Sequence, residues 1–361
     1  MSSMLADHYI RAKAQLIDIS NPSRAASGKL ELGIASRVTS SSQRLRIVFI
    51  GQNGLFTIMP LLAVSKKHAV VGIIESGGMT SQIDWKQKVI RHAKTIFKFN
   101  SASQLLRVCA KQKNIPYLLF HKGNHQELVT FLRRLEPDVI CIASMSQLLR
   151  REAWEIPRLG TINVHPSLLP KYRGPSPWFW HYHQMESEGG VTIFYVDDGE
   201  DTGDILKQAS YSIAPGMELA AMQEAAISMG TGLLLEALDE LAAGKANPIP
   251  QRHLRCPLRA RNVNRHEAKI IDWENWPIER VWHFMRGTQL IYDSIPPPQG
   301  WRTGFRWKVK EFSRELVEAL PGTIQYDSEG CFVAHRQGKI RLTLDVNWVA
   351  WAKYWLSRLI K

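Results

Sequence analysis

The sequence predicts an α/β fold, a mainly parallel sheet with helical crossovers, followed by a small carboxy-terminal unit rich in β-strands. Three observations predict it. Short apolar runs alternate with segments of helical period between residues 45 and 143, giving the pattern β-α-β-α-β-α-β. Each run is closed by turn residues, and parallel neighbours of this kind are joined by right-handed crossovers. A proline- and arginine-rich stretch after Gly244 then gives way to four short strand patterns.

Leu45 to Ile50 is the first strand, because Ile47, Val48, Phe49 and Ile50 form a buried run ended by Gly51. Gly51-Gln52-Asn53-Gly54 turns into a helix carrying Met59, Leu61 and Leu62, without the Gly-x-Gly-x-x-Gly spacing that would imply a dinucleotide. Strands follow at Ala69 to Ile74 and Tyr117 to Phe120, with a helix from Ala102 to Lys113 between them. Residues 75–100 interleave Lys86, Lys88, Arg91, Lys94 and Lys98 with Trp85, Ile90 and Phe97. This is either a basic acceptor-binding insertion or the solvated face of an extra helix. His125 to Glu136 places Leu128, Phe131, Leu132 and Leu135 on one helical face before Pro137, and Asp138 to Ala143 is the fourth strand.

After the turn Ser144-Met145-Ser146-Gln147-Leu148-Leu149, a strand over 160–164 leads into the stretch around which the chain is organised. That stretch is Asn163-Val164-His165-Pro166-Ser167-Leu168-Leu169-Pro170-Lys171-Tyr172-Arg173-Gly174. Asn163 and His165 lie two apart, so an extended backbone puts both on one face, opposite Val164. The two prolines make the following loop rigid. Gly190 to Val196 and Ile205 to Tyr211 are two further strands, joined by Asp197-Asp198-Gly199-Glu200-Asp201-Thr202-Gly203-Asp204. The acids here read as solvated turn residues, apart from Asp201; a calcium-loop spacing is absent. Glu218 to Ala243 is a long helix whose stripe of Leu219, Met222, Ala226, Met229, Leu233, Ala237 and Leu241 reads as core.

Residues 247–264 read as a linker bearing Pro248, Pro250, Pro257, Arg252, Arg255, Arg259 and Arg261. A smaller unit begins at Asp272, with candidate antiparallel strands at Trp307 to Phe312, Gly322 to Tyr326, Cys331 to His335 and Lys339 to Leu344. Trp348 to Lys361 forms an amphipathic tail, with Trp348, Trp351, Trp355 and Leu359 on one side for docking onto the body, a second subunit or a membrane surface. The expected division is therefore an amino-terminal arm at 1–44, a catalytic domain at 45–246, the linker, a β-rich domain at 265–346 and the tail at 347–361.

The 361 residues carry a formal charge of +13, which points to an anionic partner: RNA, a phosphorylated small molecule, folate or a membrane surface. Cys109, Cys141, Cys256 and Cys331 have no paired spacing, so neither a zinc site nor a disulfide framework is expected. No run reaches the ~18 to 20 apolar residues of a membrane span. The first 44 residues lack the continuous apolar segment of a secretory signal. The expectation is a soluble, cytoplasmic protein without a metal.

An amide, an imidazole and a carboxylate suffice to hold a carbonyl, stabilise the oxyanion formed on attack and fix the charge of the acid-base group. The motif Asn-x-His-Pro-Ser-Leu-Leu-Pro with a later Arg-Gly, followed by Asp-x-Gly-x-Asp-Thr-Gly-Asp-Ile, resembles the folate-dependent formyltransferases. The resemblance runs from Leu45 to Leu241, with an echo of the methionyl-tRNA enzymes from Pro257 to Leu344. It implies a Rossmann-like formyltransferase domain with a small OB-like barrel, and transfer of a formyl group from 10-formyltetrahydrofolate to a primary amine. Asn163, His165 and Asp201 are implied as catalytic; Met145, Gln147, Leu148, Leu149 and Asp198 as folate-binding; Ser167, Arg173, Gly174 and Trp178 as acceptor-binding.

Two acceptor classes stay open at this point, tRNA and a nucleotide-linked amino sugar or other small amine. Basic charge and the carboxy-terminal echo favour tRNA. Against it, Gly51-Gln52-Asn53-Gly54-Leu55 replaces the Gly-Thr-Pro-x-Phe opening common in the tRNA enzymes, and the Arg-Pro-Ala-Gly-Arg-Gly pattern is absent. Trp178, Trp180, His181 and His183 either line an acceptor pocket or form a buried aromatic helix. A homodimer through the carboxy-terminal region is a further expectation. Outside this class stand a nicotinamide dehydrogenase, disfavoured by the missing glycines, and a non-catalytic folate- or RNA-binding relative.

Overall fold

The computed structural model describes residues 44–77, 104–251, 253–267, 270–299, 304–346 and 351. The amino-terminal arm, nearly all of the basic stretch at 75–100 and all of the tail helix but Trp351 lie outside the described residues. The chain divides into two compact units: Met1–Arg173 with Gly190–Ser210 and Gln223–Arg259, and Gly174–Gly189 with Tyr211–Met222 and Ala260–Lys361.

The first unit is built on a seven-stranded sheet. In chain order its strands are β1 (Arg46–Gly51), β2 (Ala69–Ser76), β3 (Tyr117–Phe120), β4 (Val139–Ala143), β5 (Thr161–His165), β6 (Glu188–Tyr195) and β7 (Ile205–Ser212). The helices are α1 (Leu55–Lys67), α2 (Leu105–Gln112), α3 (His125–Leu135), the short α4 (Arg151–Trp154) and, after an intervening α5, α6 (Leu219–Ala242). The spatial order is β3-β2-β1-β4-β5-β6-β7. Every residue of β4 is buried, as a central strand covered on both faces requires. Along α3, Leu128, Phe131, Leu132 and Leu135 all enter the core, and each fully buried side chain of this size contributes ~1.5 to 3 kcal/mol. Glu136 ends α3 in the left-handed conformation, its N–H on the Leu132 carbonyl, just before Pro137.

β1, β2, β3, β4 and β5 run parallel, but β6 lies antiparallel to β5, with His165 opposite Thr192 and Ile162 opposite Tyr195. The order reverses between β1 and β4, so the carboxyl ends of those strands flank the crevice where open α/β sheets take their ligands. Gly51 sits there because a Cβ would come within 2.4 Å of the Ala143 carbonyl. α6 approaches β5 through Gly230, whose added Cβ would meet the Val164 side chain at 3.1 Å. Val164 therefore faces α6, and alternation turns Asn163 and His165 to the opposite face. Within α6 the buried stripe differs from the expected one: Leu234 and Leu238 are fully buried, while Met229 and Leu233 are only partly so.

The second unit contains α5 (Pro177–His183), α7 (Ile278–Thr288) and the strands β8 (Phe305–Ser313), β9 (Ile324–Asp327), β10 (Gly330–His335) and β11 (Gly338–Val346). Its strands are antiparallel in the order β8-β11-β10-β9. The β-rich carboxy-terminal domain expected from the sequence is present as this antiparallel sheet, with β8 and β9 at its two ends among the described residues. Phe179, Tyr182, Val281, Phe284, Val309, Val333, Ile340 and Leu342 share one core. Gly287 lets α7 meet the Tyr182 ring, which an added Cβ would approach to 2.1 Å.

Two histidines make this second unit acid-sensitive. The buried His283 accepts the Gly216 N–H on Nδ1 at 2.9 Å, and burial pushes its pKa down to about 4. His183 is also held down to about 4, first by burial and then by Arg280 and Arg261. Both bind fewer protons folded than unfolded, so their contribution is complete above the ordinary imidazole range near 6.5 and is lost as the pH falls toward 4. Urea unfolding is expected to show a loss of ~2 to 4 kcal/mol between pH 7 and pH 5, ~2 from the buried His283 and less from the half-buried His183, whose charge solvent screens; an unchanged midpoint would contradict it.

The linker is also corrected. Ile249 pairs with Ile205 at the start of β7, Gln251 is fully buried, and residues up to Arg259 belong to the first unit. Among the described residues no helix is long and apolar enough to cross a membrane.

Candidate active site

β5 carries Asn163, half-buried, and His165 to the carboxyl edge of the sheet. The loop after it is held by Thr192, the residue opposite His165. Thr192 donates its hydroxyl to the Ser167 carbonyl at 2.6 Å and receives the Leu169 N–H at 3.2 Å. Gln208 adds bonds to the Leu169 carbonyl and the Thr192 hydroxyl at 2.9 and 2.8 Å. The rigidity expected from Pro166 and Pro170 is therefore reinforced from two neighbouring strands.

The His165 side chain is only 6% exposed. Its Nε2 lies 2.9 Å from the Tyr172 carbonyl, which can only accept, so Nε2 carries the hydrogen. That bond fixes the ring and leaves Nδ1 3.6 Å from Oδ2 of Asp201. The separation is an ion-pair distance, slightly long for a hydrogen bond. It is nevertheless a convergence of two segments far apart in sequence. β6 ends opposite Ile162, roughly 10 Å along the strand from His165, so the loop after it must fold back for Asp201 to reach the imidazole.

The loop is shaped for that return. Asp197 accepts the Gly199 N–H at 3.0 Å and the Thr202 hydroxyl at 2.6 Å. Gly203 is obligatory, because a Cβ there would stand 1.8 Å from the Tyr195 carbonyl. Asp201 itself has a φ of +55°, a left-handed conformation that Asp tolerates better than most residues. Asp198 pairs with Arg151 and Glu200 with Arg259. The reading of these acids as simple solvated turn residues is corrected for three of them: Asp197, Asp198 and Glu200 each hold a named partner.

In the turn after β4, Ser144 has a φ of +66° and its hydroxyl bonds the Gln52 amide oxygen at 3.2 Å, joining the carboxyl ends of β4 and β1. Leu149 is a core residue and Met145 packs on the same core, whereas Leu148 is 64% exposed. Gln147 is half-buried, and its amide nitrogen is shielded from solvent without a hydrogen-bond partner.

Of the four residues expected at the acceptor, Ser167 and Arg173 belong to the first unit. Ser167 is fully buried and donates to the Lys171 carbonyl at 2.8 Å. Arg173 is 8% exposed and its guanidinium bonds the Gln251 side chain at 2.9 Å and main chain at 3.0 Å. Both side chains are engaged in holding the scaffold. Gly174 and Trp178 belong to the second unit, where Gly174 has a φ of +117° close to Ala260 and Trp178 packs on the core. His181 donates Nδ1–H to the Pro177 carbonyl at 2.7 Å, and His183 stacks among Phe179, Trp180, Trp276 and Phe284. Trp178, Trp180 and His183 are partly buried, Trp178 and Trp180 packed against the core of the second unit, and His181 is buried.

Sequence reasoning missed a cavity of about 610 Å³ in the first unit, lined among others by Trp154, Thr161, Tyr195, Asp197, Gly203 and His253. It borders the loop that carries Asp201. No periodicity or motif marks its lining, which comes from four separate segments. The role of Gln251 was missed in the same way.

A family model described as formyl transferase matches residues 67–238. A methionyl-tRNA formyltransferase of Roseiflexus castenholzii is 31% identical over 310 residues, covering 82% of this chain and 90% of its own. Among solved structures, an N-formyltransferase from Helicobacter canadensis in complex with folinic acid and dTDP-3-aminofucose aligns at a TM-score of 0.56. It is 15% identical over 83% of this chain and 100% of that one. HypX from Aquifex aeolicus in complex with tetrahydrofolic acid aligns at 0.54, 15% identical, over 84% of this chain and 44% of that one. At these identities the two structures share the fold.

Proposed function

This chain belongs to the formyltransferase family, and on that premise we propose that it transfers a formyl group from 10-formyltetrahydrofolate to a primary amine, with Asn163, His165 and Asp201 as its catalytic residues. The observation that carries the reading is the meeting of His165 and Asp201 at 3.6 Å from two separate loops, on the strand that also presents Asn163. A relative of the same architecture that only bound folate would have no use for that meeting.

The residues present fit a folate. The turn from Met145 to Leu149 lies at the crevice where the strand order reverses, and the orphaned Gln147 amide nitrogen is a donor in want of an acceptor. A pterin edge offers such acceptors, with Leu148 exposed beside them. Asp198, expected as a further contact, is paired with Arg151. The donor supplies an activated formyl carbon bonded to nitrogen. Asn163 donates its amide N–H to the formyl oxygen, where negative charge builds as the amine attacks. His165, oriented by the Tyr172 carbonyl, would present Nδ1 to take the proton the amine loses and return it to the folate nitrogen as its bond to the formyl carbon breaks, the Asp201 carboxylate stabilising the imidazolium in between.

Methionyl-tRNA is the first acceptor reading, because the 31% identical relative of that name matches across 82% of the chain, well past the catalytic segment. Incubation with 10-formyltetrahydrofolate and either methionyl-tRNA or a nucleotide-linked amino sugar tests it. Formylated methionyl-tRNA is expected; formylation of the sugar alone would replace the acceptor, and transfer to neither amine would reject the reading.

A further inference from the structure

The segment from Ile249 to Arg259, read in sequence as a linker, touches both loops of the site. Gln251, fully buried, donates its amide to the carbonyls of Asp201 at 3.2 Å and Gly203 at 2.6 Å, while its amide oxygen accepts from Arg173 at 2.9 Å. Farther along, the Leu258 carbonyl accepts the Tyr172 N–H at 2.7 Å, and Tyr172 in turn accepts from His165 through its own carbonyl. Arg259 pairs with Glu200, the neighbour of Asp201. These contacts close a ring: Gln251, Asp201, His165, Tyr172, Leu258 and back along the chain to Gln251.

Two members of that ring are non-glycine residues in the left-handed region, Tyr172 at φ +62° and Asp201 at φ +55°. Such conformations persist only where the surroundings over-determine them. Here the surroundings include this segment, which bonds the backbone of both. The residue type at 251 follows from the same geometry. Two buried carbonyls need a donor and a buried guanidinium needs an acceptor; only an amide of this length offers both. Glu would accept only, Lys would donate only, and Met would do neither.

We propose that the segment carrying Gln251, Leu258 and Arg259 is a strap that clamps the two catalytic loops together, and that Gln251 is a positioning residue for Asp201 in formyl transfer. The proposal rests on the catalytic reading of Asp201 given above. A displaced carboxylate should slow the chemical step without weakening folate, as misplacement of about 1 Å can cost ~100-fold in rate.

The test uses the full-length protein with Gln251→Glu, which keeps the acceptor for Arg173 and loses both donors, and Gln251→Met, which loses all three bonds. Both variants are expected to lower kcat ~10- to 100-fold, to leave KM for 10-formyltetrahydrofolate within ~3-fold, and to speed amide hydrogen exchange across residues 199–204. Wild-type kcat in either folded variant, or a fall in kcat without faster exchange in that loop, would overturn the strap. In the wild-type protein the Tyr172 amide should exchange slowly because Leu258 accepts it. Rapid exchange there would overturn the strap even if neither variant folds. Slow exchange in a wild-type protein that transfers no formyl group would instead overturn the proposed function.

Discussion

Replacing His165 by Ala lowers the rate of formyl transfer ~100- to 10,000-fold and leaves the apparent affinity for the folate donor nearly unchanged. The reason lies in the geometry. The ring is held from one side by the Tyr172 carbonyl at 2.9 Å, so only Nδ1 remains to serve the reaction, and Asp201 stands 3.6 Å from it. Removing the imidazole takes away a group that matters when a proton moves, not when substrates dock. The variant should fold, because Thr192 and Gln208 hold the loop independently of the ring. A rate within ~3-fold of wild type would remove His165 from the mechanism.

The second large effect is expected from Asp201→Asn. Asn matches Asp in size and is among the few residues that accept a left-handed backbone, so the loop bonds from Gln251 survive. What is lost is the charge facing Nδ1. A neutral amide cannot stabilise an imidazolium, and the rate should fall ~100-fold or more. KM should move little. Recovery of wild-type rates in Asp201→Asn would mean that the carboxylate shapes the loop and nothing else.

Both predictions depend on contacts that were legible to different degrees in the sequence. β4 and α3 could be read directly, because continuous burial and a 3.6-residue stripe are written in their side chains. The pairing of Asn163 with His165 on one face followed from strand alternation, and the structure supplies the cause in Val164 against Gly230. The antiparallel course of β6 was not legible, since nothing in its residues fixes the direction of a neighbour. The four carboxy-terminal strands were legible as an antiparallel set, but their spatial order, β8-β11-β10-β9, was not, because short strands do not declare their neighbours. The ring contacts of α5 with Phe284 and Trp276 were not legible either, because their partners lie about 100 residues away in sequence.

The polar residues show where reading by residue type stops. Ser167 and Arg173 were expected at the acceptor only through the family resemblance, which says nothing of their local packing. Burial turns them inward, to the Lys171 carbonyl and to Gln251. Gln251 looked like one polar residue in a proline-rich linker, yet its partners lie 48, 50 and 78 residues away in sequence. No local pattern predicts such a set, because a buried amide is selected by what surrounds it.

The central claim is that His165 and Asp201 act as one unit, and a double-mutant cycle in single-turnover formyl transfer tests it most directly. The rates of His165→Ala, Asp201→Asn and the double variant are compared with wild type on whichever acceptor the wild type uses. Groups that act together lose their effect once, so the double variant should be no slower than His165→Ala by more than ~3-fold. Losses that multiply in full would show two independent side chains and contradict the account.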